Sequence, residues 1–205
     1  MLKDPEHHLA LQMDVTQQSD VERVIAASRD RFERPPNLLV NSAGVLRMSP
    51  FLDETEACLD TMINVNLKGT FLVTQVFIKA LLERNRGAGE ERGAVVNIAS
   101  TSGKVGPPLM TIYAATKGGV IAFTKSCAAE MANKGIRVNC VLPGAIATPM
   151  TADIEERLVK EFCNRNPLGR LGKPEEVAEV VVFLLSRRSS YMVGACVEVT
   201  GGTDM

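Results

Sequence analysis

The chain has no tryptophan, two tyrosines and two histidines in 205 residues. His7 and His8 are adjacent and near the start, so a zinc site has little to build on. Neither sign of charge is in excess, with 23 Lys and Arg against 24 Asp and Glu. That balance gives no reason to expect attraction to nucleic acid or to a membrane surface. No apolar run reaches the ~20 residues that span a bilayer. Residues 1–8 (Met-Leu-Lys-Asp-Pro-Glu-His-His) have neither the apolar core of a secretory signal nor the Arg-rich pattern of a transit segment. The five cysteines, Cys58, Cys127, Cys140, Cys163 and Cys196, include no Cys-x-x-Cys pair. They read as small buried hydrophobes of a reducing compartment rather than as disulfides or metal ligands. Internal repeats and dividing linkers are also absent, and the length suits one domain, residues 1–205, with a sizeable core.

What is present is an alternation of strand and helix patterns. Residues 9–13 read as a short strand ending at Asp14. Ser19 and Glu22 have capping-box spacing ahead of Val21, Val24, Ile25, Ser28 and Phe32 on one helical face, and Pro35-Pro36 closes that helix. Residues 38–40 are a short buried strand leading into Asn41-Ser-Ala-Gly44, whose small residues let a ligand approach the backbone. A long helix over residues 54–82 is expected to break near Asn64. Residues 83–93 are a polar, Gly-rich loop whose Arg84, Arg86 and Arg92 form a solvated face or meet an acidic partner. The apolar run 94–99 is a buried strand closed by Ser100, and a helix from Thr111 as cap to about Asn133 follows. Gly118-Gly119 inside that helix is costly by propensity, which predicts another backbone packed closely there. Residues 136–142 form the next strand, ending at Pro143-Gly144. A short helix in 150–170 turns Met150, Ile154, Leu158 and Phe162 to one side. Pro174 opens a helix carrying Val177, Val180, Val181 and Leu184 inward, and residues 196–199 are a last strand. This order argues an α/β fold with a parallel, doubly wound sheet.

One stretch carries chemistry. Tyr113 and Lys117 are four residues apart and so share a helical face. An ammonium beside a phenol favours the phenolate, bringing a group that titrates near about 10 toward neutral pH. Ser100 falls at the carboxyl end of a buried strand, where open α/β sheets bind their ligands. Hydroxyl, phenol and ammonium at one sheet edge suit a carbonyl undergoing hydride transfer, with Ser100 holding the oxygen, Tyr113 protonating it and Lys117 tuning the phenol. Tyr-x-x-x-Lys alone is weak and fits a surface pair on an ordinary helix equally well.

The order of motifs is far more specific: Asp14-Val15, Asn41-Ser-Ala-Gly44, Asn64-Val-Asn66-Leu-Lys-Gly69, Ser100, Tyr113-x-x-x-Lys117, Pro143-Gly144 and Val199-Thr-Gly-Gly202. In that order and spacing the chain resembles the short-chain dehydrogenase/reductase family over nearly its whole length. The resemblance implies a Rossmann-like sheet and a proton relay of Asn66, Ser100, Tyr113 and Lys117. It implies NAD or NADP, with NAD favoured, contacted by Asp14 and Val15 on the adenine side. Asn41, Ala43 and Gly44 would line the adenosine side, and Asn41 would also be structural. Tyr113 and Lys117 would meet the ribose, and Pro143, Gly144, Ile146 and Thr148 the nicotinamide. It further implies a 3-oxoacyl group on acyl carrier protein or coenzyme A, or a steroid, as substrate. A homo- or hetero-tetramer with a related reductase follows as well, in the mitochondrial matrix or alternatively the cytoplasm. Lys134 matches a position that is basic where a carrier protein docks, although a helix-end lysine suits the helix dipole without one.

The chain departs from the family at one place. Members begin with a strand, a turn of the form Thr-Gly-x-x-x-Gly-x-Gly, a helix and a second strand, and this sequence has no such turn. The shortfall is roughly fifty residues, somewhat more than one βαβ unit. The expected fold is therefore a doubly wound sheet without its first two strands. Residues 9–14 would then have no neighbour, the strand at 38–40 would become an edge, and dinucleotide binding would be weak.

Overall fold

The computed structural model describes residues 7–83, 92–152 and 154–203. Its sheet has four parallel strands in sequence order: β1 (Leu38–Asn41), β2 (Gly93–Ile98), β3 (Ile136–Pro143) and β4 (Cys196–Val199). The crossovers carry α2 (Glu56–Met62) and α3 (Thr70–Leu82), then α4 (Ser102–Val105) and α5 (Thr111–Met131), then α6 (Pro149–Ala152), α7 (Glu156–Arg165) and α8 (Pro174–Leu185). Helix α1 (Gln18–Phe32) precedes β1. Every central residue of β2 and β3 is buried because helices cover both faces, which is why these strands read as mainly apolar, broken only by the buried Asn97, Arg137 and Asn139. On one face Phe77, Ile78 and Leu81 of α3 pack with Val95, Val138 and Ala128 of α5. On the other, Val181 and Leu184 of α8 close on Val96 and Val141.

Several expectations need correction. Residues 9–13 form no strand; the described chain there pairs with no sheet edge. Ser19 caps nothing: α1 starts at Gln18 with Gln17 at its cap, and no side chain bonds there. Thr111 is likewise the first residue of α5, not its cap. Strand β1 is not buried, since Leu38 and Val40 are 49% and 41% exposed; as expected from the missing first two strands, it is the sheet's edge among the described residues. Residues 150–170 hold two helices, α6 and α7, rather than one. Arg84 and Arg86 lie outside the described residues.

The break expected near Asn64 is a π-helical segment, Ile63–Gly69, that joins α2 to α3 without interrupting the helix. By length and composition alone Glu56–Leu82 would pass for a membrane span, but half of that window is buried in the protein. Gly118 meets another backbone as predicted, whereas Gly119 meets a side chain instead. A Cβ on Gly118 would stand 3.1 Å from the Gly103 carbonyl oxygen of α4, and one on Gly119 would stand 3.0 Å from Leu67. That close approach fixes the distance between the end of β2 and the start of α5.

Candidate active site

Ser100 lies two residues beyond β2 and is buried, as are Tyr113 and Lys117 in the first turns of α5. The Ser102 backbone N–H donates to Ser100 Oγ at 3.1 Å. Ser100 thus keeps its single proton for another acceptor. The Ser100 hydroxyl is near enough to the Tyr113 phenol to favour its ionised form. Lys117 Nζ donates to the Ile98 carbonyl at 2.8 Å and lies 5.6 Å from the Tyr113 ring centroid. Three of the four residues proposed from sequence therefore converge where β2 ends.

Their electrostatics differ from the expectation. Burial pushes the Tyr113 phenol above its ordinary value, and the Ser100 hydroxyl only partly opposes this. Lys117 does not draw the phenol down, because its ammonium is turned to the Ile98 carbonyl and lies over the ring face. Burial also lowers Lys117 itself, to about 8. At neutral pH the site holds a protonated phenol beside a lysine that is still mainly charged.

Asn66, the fourth residue, is 1% exposed in the π-helical segment. Its Oδ1 accepts from the Val45 N–H at 2.8 Å, and its Nδ2 donates to the Val45 carbonyl at 2.9 Å and to Thr116 Oγ1 at 3.1 Å. Its main-chain carbonyl accepts from the Thr70 hydroxyl at 2.8 Å. The side chain is a clamp on a cavity wall rather than a direct neighbour of the phenol. Gly44, in that wall, borders both groups: a Cβ there would stand in ordinary contact with Asn66 Oδ1 at 3.4 Å and Lys117 Nζ at 3.5 Å.

Ser100, Tyr113 and Lys117 open into a cavity of about 650 Å³. Leu46, Met110, Met150 and Phe162 form apolar walls near Tyr113, while Val40 and Val181 line its extension beneath the sheet edge. Pro143, Gly144, Ile146 and Thr148, assigned from sequence to the nicotinamide, all line it, as does Gly44. The loop they form is pinned by Thr151, whose hydroxyl lies 2.7 Å from the Ile146 carbonyl and accepts from the Thr148 N–H at 3.0 Å. Thr151 and Ser102 were not legible as site residues, because their parts are played through backbone groups that no motif names.

The remaining assigned positions stand apart from the cavity. Asp14 is a turn residue, its carboxylate accepting from the Thr16 N–H at 2.9 Å. Val15 packs with Val21 and Val73 between α1 and α3. Ala43 is exposed and does not line the cavity, while its neighbour Ser42 does. Asn41 is committed to a buried ladder, donating to Thr74 Oγ1 and to Asn97 Oδ1 at 2.8 Å each, and Asn97 continues it to Thr124 at 2.9 Å.

A family profile described as Enoyl-(Acyl carrier protein) reductase matches residues 2–204. A crystal structure from Brucella melitensis, described as a short-chain dehydrogenase/reductase, superposes on all of this chain and 79% of its own length with TM-score 0.90 and 34% identity. The chain belongs to the short-chain dehydrogenase/reductase family. Within that family it is 45% identical to a mouse (Mus musculus) (3R)-3-hydroxyacyl-CoA dehydrogenase, over 97% of this chain and 74% of the relative. It is 41% identical to a 3-oxoacyl-[acyl-carrier-protein] reductase of Thermotoga maritima, over 93% of this chain and 74% of the relative. As a short-chain dehydrogenase/reductase it is an oxidoreductase, and NAD(P) is its cofactor class.

The described residues fit the nicotinamide end of such a cofactor. Gly144 leaves room against Thr200, where a Cβ would stand 3.2 Å from the Thr200 Cα, and Ile146 and Thr148 edge the cavity beside Lys117. The pyrophosphate end has no counterpart among them: the sequence has no Thr-Gly-x-x-x-Gly-x-Gly turn, and Asp14 is in a turn off the cavity.

Proposed function

We propose that this chain carries the catalytic half of an NAD(P)-dependent oxidoreductase acting on a 3-oxoacyl thioester and, in reverse, on the matching 3-hydroxyacyl thioester. The observation that carries this reading is the convergence of Ser100, Tyr113 and Lys117 on one largely apolar cavity. Methionine and phenylalanine walls suit an acyl chain, and the names of the two relatives support a thioester on coenzyme A or acyl carrier protein. A steroid alcohol is the other substrate such a cavity would take.

When bound, the nicotinamide supplies the hydride for reduction or takes it in oxidation. Pro143, Gly144, Ile146 and Thr148 would hold the ring, and Tyr113 and Lys117 the ribose. Ser100 donates its remaining proton toward the substrate oxygen, polarising the carbonyl. Tyr113, kept protonated by burial, gives its hydroxyl proton to that oxygen as it gains charge. Lys117 stands over the ring on the Ile98 carbonyl, and its ammonium would have to leave that carbonyl to stabilise the phenolate left behind. Asn66 acts by holding Val45 in place.

NAD is the preferred cofactor in this reading, the domain spans residues 1–205, and the compartment is the mitochondrial matrix, with the cytoplasm as the alternative. A tetramer, with copies of itself or with a related reductase, would use the outer faces of the α2–α3 run and α5. There Leu59, Ile63 and Phe71 are exposed, and Phe71 meets Phe123 with ring centroids 5.7 Å apart. The exposed β1 edge favours a second reading, in which the chain assembles with an active reductase without turning over itself.

The deciding assay follows NADH and NADPH oxidation by the 205-residue chain with a 3-oxoacyl-CoA and with a 3-oxosteroid. Turnover of the thioester supports the first reading. Absence of nucleotide binding, together with stable association with a related reductase, favours the second.

A further inference from the structure

Thr116 joins the catalytic helix to the π-helical segment. Its side chain is 2% exposed, and its hydroxyl donates to the Tyr113 main-chain carbonyl at 2.8 Å. A hydroxyl has one proton, so toward Asn66 Nδ2, 3.1 Å away, Thr116 is the acceptor. Asn66 grips both backbone groups of Val45, and Val45 stands between Gly44 and Leu46, which line the cavity. A continuous set of hydrogen bonds therefore runs from the main chain of Tyr113 to the wall facing Lys117.

We propose that Thr116 is a positioning residue, registering the wall at residues 44–46 against Tyr113 and Lys117 through Asn66. This rests on the reading of Tyr113 as the proton donor. A valine of the same shape would fill the space but leave an Asn66 N–H buried without this acceptor, and a buried donor left unpaired is costly. The amide would then turn or withdraw, loosening its hold on Val45. A Cβ on Gly44 would stand 3.5 Å from Lys117 Nζ, so this wall borders the ammonium and its displacement would admit water there. The plainer role for a buried threonine is to fill the core, and the two roles predict different measurements.

The test compares Thr116→Val and Thr116→Ser with the unmodified chain, reading amide hydrogen exchange at Val45 together with kcat and KM for a 3-oxoacyl-CoA. Positioning predicts that Thr116→Val speeds Val45 exchange about tenfold and lowers kcat by about the same factor, the equivalent of one buried hydrogen bond, with little change in KM. Thr116→Ser restores both. Unchanged Val45 exchange and kcat in a folded Thr116→Val protein overturn the proposal. So does a rise in exchange spread evenly along α5, which would mean loss of packing alone. Should Thr116→Val not fold, Thr116→Ala removes the same hydroxyl without overfilling the site and is read against Thr116→Ser. If the unmodified chain shows no turnover, the oxidoreductase reading fails while Val45 exchange still decides the role of Thr116.

Discussion

Gly103 and Gly118 lie backbone to backbone: a Cβ on Gly103 would stand 2.5 Å from the Gly118 nitrogen. This approach seats α4 on α5 and so sets Ser100, just before α4, against Tyr113. Replacing Gly103 by alanine is expected to push the two helices apart. The cost should be ~1–3 kcal/mol, as for other overpacked sites. Turnover should fall further than stability, because the placing of Ser100 against Tyr113 depends on this spacing. Denaturant melts and steady-state kinetics on Gly103→Ala check both.

Lys117 is held in the folded protein at a cost. Burial brings its pKa from 10.5 to about 8, so the native state gives up this proton before the unfolded chain does. Stability contributed through this group therefore rises with pH between about 8 and 10.5, and the penalty is present in full below pH 8. Lys117→Met is expected to stabilise the protein by ~2 kcal/mol at pH 7 after the lost bond to the Ile98 carbonyl is allowed for. The gain should shrink toward pH 10.5, and turnover should vanish. Thermal melts of both proteins across that pH range check the sign.

The ladder through Asn41 and Asn97 crosses the sheet in a fully apolar layer. Asn97→Ala takes one of two partners from Asn41 Nδ2, which keeps Thr74, and one from Thr124 Oγ1, which keeps the Val120 carbonyl, and should cost ~1–3 kcal/mol. Asn41→Leu should lower stability while leaving nucleotide affinity close to that of the unmodified protein. Calorimetric titration with NADH separates the two effects. A large loss of affinity in a stable Asn41→Leu protein would return Asn41 to the cofactor site.

Strand β1 presents Leu38 at 49% exposure on an unpaired edge, the kind of surface that recruits other strands. Leu38→Lys should reduce concentration-dependent self-association, as read by light scattering, with the melting temperature changed by little.

Much of the fold was legible because it rests on local pattern. The buried strands β2 and β3 announce themselves as short, mainly apolar, valine- and isoleucine-rich runs, and α8 by its Pro174 start and valine stripe. The Ser100, Tyr113 and Lys117 site was legible from the order of the motifs around it, helical spacing and a strand end being too weak alone. What escaped depends on the third dimension. Whether residues 38–40 are buried depends on what lies beside them, not on their own hydrophobicity. The Asn66–Thr116 bond joins residues fifty positions apart, and no periodicity reports it. The direction of the Tyr113 shift escaped as well: the sequence shows a lysine four residues on, but not that burial outweighs it or that the ammonium turns to Ile98.

The central claim is that Tyr113 delivers the proton within an oxidoreductase site. The most direct test is reduction of a 3-oxoacyl-CoA by the unmodified chain and by Tyr113→Phe, with nucleotide binding measured on both. The account predicts that the phenylalanine protein binds nucleotide as the unmodified chain does, keeps its fold and loses turnover by ~10²–10⁴-fold, the range of a general acid. Turnover within a few-fold of the unmodified chain would contradict it and place the proton donor elsewhere.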